Sequence, residues 1–311
     1  MTPLDLVQIT GLMERCSGSP DVKIGLIDGP VLTRHPDLVD QRLREIPGDS
    51  SASCSRADSA ACLHGTFVAG MLSARRGSQA PAICPDCTLL IRPIFAETTA
   101  GREHMPSATP DELAAAIFQC IDAGARVINL SLGLAQPSIK GEHGLEQALD
   151  WALRRGVIVV AAAGNQGTLG SSAITRHPWV IPVVACDLAG RTMNESNLGG
   201  SLGRRGLSAP GDNVISLGAE GRLVTLGGTS VAAPFVTGAI ALLWSEFPAV
   251  GAAQIKLAVT QAAAPRRPSV IPPLLDAMAA FQALSLANGR RRSMTKSGIM
   301  KQVEGGEPEM Q

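Results

Sequence analysis

Short runs of apolar residues alternate along the chain with longer stretches in which apolar positions recur at helical spacing. Residues 22–27, Val-Lys-Ile-Gly-Leu-Ile, read as a short buried strand that stops at Asp28. Residues 64–73 read as a helix with Phe67, Val68, Met71 and Leu72 on one face, and residues 88–93 as a second strand. An alanine-rich helix is expected over 111–123, where Leu113, Ile117 and Ile121 stand four apart, then a strand over 126–131 and a helix over 144–155. Residues 157–162, Val-Ile-Val-Val-Ala-Ala, are apolar throughout, the mark of a strand covered on both faces. A strand over 180–185 and helices over 230–247 and 251–263 complete the series, and Gly156 and Pro248 stand where helices should stop.

Strands alternating with helices of this length imply right-handed βαβ units. The expected fold is α/β in three layers, a mostly parallel central sheet with helices on both faces. No internal repeat or composition break interrupts the series, so one domain is expected over residues 1–287. Beyond it, Arg290-Arg-Arg292 is followed by Ser, Lys, Gly and Glu without apolar periodicity, and 288–311 read as a disordered, solvated tail. In such a sheet ligands collect at the carboxyl ends of the strands. The polar residues there are Asp28, Ser131 and Gly164-Asn165, and His64 and Ser230, each expected at a helix start, can face the same edge.

Charge and composition remove other classes. With 27 basic and 27 acidic residues the balanced charge removes the simplest case for nucleic acid, which needs a basic surface to neutralise phosphates. Aromatics are 3% and tyrosine is absent, so no stacking platform for single strands is expected. No stretch approaches the roughly 18 uninterrupted apolar residues of a membrane span. Residues 1–24 lack the basic patch, apolar core and cleavage site of a signal peptide, so a cytoplasmic location is expected. Seven cysteines, an odd number in a chain this long, are no disulfide framework. Cys54 and Cys62 flank a Ser/Ala-rich loop, and Cys84-Pro-Asp-Cys87 is a CxxC. Zinc, a local disulfide and free thiols are the three readings, with free thiols preferred.

Acyl transfer by a serine needs a hydroxyl, a base near neutral pKa, a carboxylate to orient that base, and donors for the oxyanion. Ser230 lies in Gly227-Gly-Thr-Ser-Val-Ala-Ala-Pro234, at a helix start where free N–H groups favour negative charge. Taken alone it is also an ordinary N-cap serine. His64 stands in His-Gly-Thr-Phe-Val-Ala-Gly70, whereas His35, His104, His143 and His177 lack such a setting. Asp28 ends an apolar strand, where a carboxylate is either exposed or paired, and Asp28-Gly-Pro30 is also turn chemistry. Asn165 can donate a side-chain amide to an oxyanion, or simply be a turn residue. A nucleotide-binding reading of Gly164 to Gly170 fails because Gly-x-Gly is missing.

Jointly these segments resemble the signature blocks of subtilisin-like serine proteases, from about residue 20 to 265. The blocks are Ile24-Gly-Leu-Ile-Asp28-Gly, His64-Gly-Thr-Phe-Val-Ala-Gly70, Val127-Ile-Asn-Leu-Ser131-Leu-Gly133, Ala161-Ala-Ala-Gly-Asn165 and Gly228-Thr-Ser230-Val-Ala-Ala-Pro234. Asp28-Gly-Pro-Val and Leu90-Ile-Arg-Pro-Ile-Phe95 are most similar to the proteases that mature cyanobactins and related ribosomal peptides. The resemblance implies a subtilisin-like fold with Ser230 as nucleophile, His64 as general base and acid, and Asp28 as its orienter. It further implies an oxyanion hole of Asn165 and the Ser230 N–H. Ser131, Leu132 and Gly133 would pair with the substrate backbone, and with Ala162, Ala163 and Gly164 would wall the pocket before the scissile bond.

Two positions depart from the family pattern: Gly29 stands where Ser or Thr is common, and Phe67 where a second His is usual. Asp28 also comes too early to follow the long propeptide of secreted relatives, so action without an autoinhibitory prodomain is expected. No acidic cluster has calcium-loop spacing, and the loop around 171–177 looks short, so neither metal nor cofactor is expected. The implied activity is a serine endopeptidase acting on a peptide or precursor protein, for instance to remove a leader. General degradation, macrocyclisation by a substrate amine, and a silent peptide-binding protein are the alternatives. The 41–61 segment is short for a cap that would shield an acyl-enzyme from water.

Overall fold

The computed structural model describes residues 1–48, 54–56, 59–95, 97, 108–132, 142–218, 221–261 and 269–289. The strands are β1 (Lys23–Asp28), β2 (Leu43–Glu45), β3 (Thr88–Pro93), β4 (Val127–Leu130), β5 (Ile158–Ala162), β6 (Val180–Cys186), β7 (Leu207–Pro210), β8 (Val214–Leu217) and β9 (Leu223–Leu226). The helices are α1 (Pro3–Leu6), α2 (Thr10–Arg15), α3 (Ala60–Ser73), α4 (Pro110–Asp122), α5 (His143–Arg155), α6 (Ala173–Arg176), α7 (Gly200–Arg205), α8 (Thr229–Glu246) and α9 (Ala252–Gln261). Residues 277–289 are helical as well. Among the described residues no helix is long and apolar enough to cross a membrane.

Seven strands form one sheet in the order β2-β3-β1-β4-β5-β6-β7, and every pairing in it is parallel. This is the α/β architecture expected from the alternation. Strands β4, β5 and β6 are buried at every position, which is why they read as apolar runs without alternation. Helices α3 and α8 pack together against the sheet, and α4 and α5 form a second packed pair. Helix α4 begins with a capping box, Thr109 and Glu112 each bonding the other's backbone N–H, and α5 ends at Gly156 in the left-handed conformation.

The chain goes from β1 outward to β2 and β3, then returns to the other side of β1 with β4. The topological switch therefore lies between β1 and β4, the place where ligands bind at the carboxyl ends in sheets of this kind. Asp28 ends β1, and Ser131 follows β4. The small antiparallel pair β8–β9 leads directly into α8 and Ser230.

Several elements differ from the sequence reading. Helix α3 starts at Ala60, not at His64, because Ser59 caps it by accepting from Cys62 N, so His64 sits in the second turn. Strands β2, β7, β8 and β9 are too short or too polar to show a period, and their identity comes from pairing. The free-thiol preference fails for one pair: Cys54 and Cys62 form a disulfide, with Cα atoms 5.6 Å apart. Zinc on all four cysteines is excluded with it. Cys84 and Cys87 are buried thiols, and the hydrogen bond they share raises the Cys84 pKa and lowers that of Cys87. The tail beyond 289 and His104 lie outside the described residues.

Candidate active site

Four segments far apart in the chain deliver the site. Asp28 is fully buried at the end of β1, and its Oδ1 accepts from Gly29 N (2.6 Å) and from His64 Nδ1 (2.7 Å). The second ring nitrogen, His64 Nε2, lies 3.1 Å from Ser230 Oγ in the first turn of α8. The His64 side chain is 12% exposed, so the imidazole is largely sheltered from solvent. Burial works against the imidazolium, but the Asp28 charge and hydrogen bond favour it, and the net displacement is upward from the ordinary 6.5. Because Asp28 is an acceptor here, Nδ1 carries the proton and Nε2 is left to accept one.

Gly29, the first departure from the family pattern, has a steric reason. A β-carbon there would lie 2.0 Å from the carbonyl oxygen of Ala61, so any side chain collides with the first turn of α3. The missing hydroxyl leaves its trace, since Asp28 Oδ2 is buried with no hydrogen-bond partner among the described residues. Phe67, the second departure, is fully buried in the core.

Asn165 is exposed beyond β5, and its amide orientation is dictated by Thr229. Thr229 N and Oγ1 both donate to Asn165 Oδ1, at 2.9 and 3.0 Å, which turns Nδ2 toward the open side. Gly228, at φ +105°, makes room for it: a β-carbon there would sit 2.8 Å from that Nδ2. The backbone N–H of Ser230, in the first turn of α8, has no helical acceptor and is a second free donor at the same place.

Ala162 ends β5, Ala163 follows it, and Gly164 N donates to Thr229 Oγ1 at 3.1 Å. Ser131 is buried and Leu132 half-buried beside them, while Gly133 lies outside the described residues. Asn197 ties this wall together, its Oδ1 accepting from Gln166 N and Thr168 N and its Nδ2 donating to Ala163 O. Sequence reasoning missed Asn197, for which no local signal exists. It also missed Asn129 and Thr237, fully buried polar residues inside apolar runs, where a polar side chain without a partner is costly.

Among the described residues, Cys54, Cys62 and Glu97 have potential ligand atoms close together, but the two sulfurs are bonded to each other. Glu97 instead accepts from Ser55 N and Arg56 N at 2.9 and 2.8 Å, holding the loop before α3.

A family description, the Subtilase family, matches residues 19–294. The chain belongs to this family. It is 32% identical over 241 residues to subtilisin DY of Bacillus licheniformis, covering 76% of this chain and 81% of that one. Among solved structures, a mutant of the protease domain of PatA superposes with a TM-score of 0.80 at 29% identity, covering 87% of this chain and 97% of that one. The prenylagaramide maturation protease PagA gives 0.77 at 27% identity, covering 89% and 98%. The chain is thus a subtilisin-type serine endopeptidase, and the resemblance to peptide-maturation proteases found in its short segments extends to its structure.

Proposed function

We propose that this subtilase is a processing endopeptidase that cuts a peptide or precursor protein at an internal bond, with Asp28, His64 and Ser230 as its reacting triad. Ser230 Oγ attacks the carbonyl carbon while His64 Nε2 takes its proton, and Asp28 holds the Nδ1 proton and stabilises the imidazolium. The oxyanion develops between Asn165 Nδ2 and the Ser230 N–H. His64 then gives its proton to the leaving amine, and water, deprotonated by His64, hydrolyses the acyl-enzyme. Ser131, Leu132 and Gly133 pair with the substrate as an added strand, a mode that reads backbone more than side chains. Ala162, Ala163 and Gly164 wall the adjoining pocket.

The observation that carries this reading is the continuous line Asp28 Oδ1–His64 Nδ1 and His64 Nε2–Ser230 Oγ, at 2.7 and 3.1 Å. A silent peptide-binding protein would have no use for that line together with an amide held free at Asn165. Processing rather than general degradation is supported by the likeness to a maturation protease, PagA. Mass spectrometry of the products from a panel of extended precursor peptides tests the proposal. Linear products from cleavage at one or a few sites, absent with Ser230→Ala, are expected. Head-to-tail cyclic products would overturn hydrolysis in favour of transamidation, and indiscriminate cleavage would overturn processing.

Asn165→Leu should lower kcat by about 10²–10³-fold with KM little changed, since the amide donates chiefly to the oxyanion of the transition state. Equal activity of this variant in a steady-state assay would remove Asn165 from the oxyanion hole.

A further inference from the structure

We infer that Thr237, Asn129 and Ser131 form a one-way hydrogen-bond relay that replaces a bond missing from α8 and thereby positions Ser230. The inference rests on the reading of Ser230 as nucleophile. Pro234 lies inside α8 and has no N–H to give to the carbonyl four residues earlier, which is that of Ser230. Ser131 Oγ supplies the donor instead, 2.8 Å from the Ser230 carbonyl oxygen.

The direction of each further bond follows by elimination. A carbonyl only accepts, so Ser131 gives its single hydroxyl proton there and accepts from Asn129 Nδ2 at 2.7 Å. With the amide nitrogen facing Ser131, Asn129 Oδ1 faces Thr237, whose hydroxyl donates to it at 2.8 Å. Asn129 and Thr237 are fully buried and Ser131 nearly so, so solvent does not compete for these groups. Thr237 lies two turns beyond Ser230 on the same face of α8. The relay therefore leaves α8 at Thr237, crosses to β4 at Asn129, and returns through Ser131 to the nucleophile's own peptide.

Asn129 and Thr237 touch no reacting atom in this arrangement; they are positioning residues. Ser131 also heads the segment proposed to pair with substrate.

The test compares wild type with Thr237→Val, which keeps the shape and removes the donor, and Thr237→Ser, which restores it. Each is measured for kcat and KM on a chromogenic peptide, for the rate of inactivation by a fluorophosphonate, and for thermal midpoint. Thr237→Val should lose about tenfold in kcat and in inactivation rate, the scale of one hydrogen bond at the nucleophile, with KM within about twofold. Thr237→Ser should recover wild-type rates. In a Pro234→Ala background, where the helix can bond the Ser230 carbonyl itself, the Thr237→Val loss should shrink to within about twofold. A fall in thermal midpoint with both rates unchanged, failure of serine to rescue, or an undiminished loss in the Pro234→Ala background would each overturn the relay. Failure of wild type to react with the fluorophosphonate would instead overturn the hydrolase reading beneath it.

Discussion

At the scale of single residues, the site shows how small chemical differences are locked in by packing. Gly29 cannot regain the hydroxyl common in the family, because the Ala61 carbonyl occupies the space of its β-carbon. Gly29→Ser should therefore destabilise by about 1–3 kcal/mol and displace α3 with its His64, so that kcat/KM falls although a hydrogen-bonding group was added near Asp28. A variant with wild-type thermal midpoint and raised activity would show that the turn yields. In the proposed mechanism His64 sets the pH dependence. Only the neutral imidazole accepts the Ser230 proton, and its pKa is raised, so kcat/KM should climb with pH along a limb centred above 6.5. Asp28→Asn removes the charge that favours the imidazolium, so the limb should move to lower pH while kcat drops by about 10³–10⁴-fold. A limb that stays in place in this variant would detach His64 from Asp28.

At the scale of elements, the legible and illegible parts of the chain divide by burial. Strands β4 to β6 and helices α4, α5 and α8 were readable because full burial makes a continuous run or a clean face. Strand β9 was not, because its burial alternates weakly and its existence depends on β8. The start of α3 was misplaced by four residues because Ser59 caps a first turn whose composition, Ala-Ala-Cys, carries no period. Asp28, His64, Asn165 and Ser230 were legible through motif wording, whereas Asn129, Thr229, Thr237 and Asn197 act through contacts that only the fold creates. The loop ahead of α3 is held by the Cys54–Cys62 disulfide and by Glu97. Closing a loop of sequence separation 8 restricts the unfolded chain modestly, so replacing both cysteines by serine should cost about 2–3 kcal/mol in urea unfolding. An unchanged midpoint would mean that the bond adds nothing to stability.

At the scale of the whole molecule, the parallel sheet brings residues 28, 64, 165 and 230 to one edge, beside the switch between β1 and β4. A site assembled from such distant segments cannot outlast the sheet, so activity and far-ultraviolet dichroism should be lost at one urea midpoint. Activity vanishing well before the secondary structure would mean that the site opens independently.

The central claim is that Ser230 is an activated nucleophile under His64 and Asp28. Labelling purified protein with a fluorophosphonate and locating the adduct by peptide mass spectrometry tests it most directly. The adduct is expected on Ser230 alone, absent in Ser230→Ala and strongly diminished in His64→Ala. Well-folded protein that takes no label, or takes it equally in the His64 variant, would contradict the account.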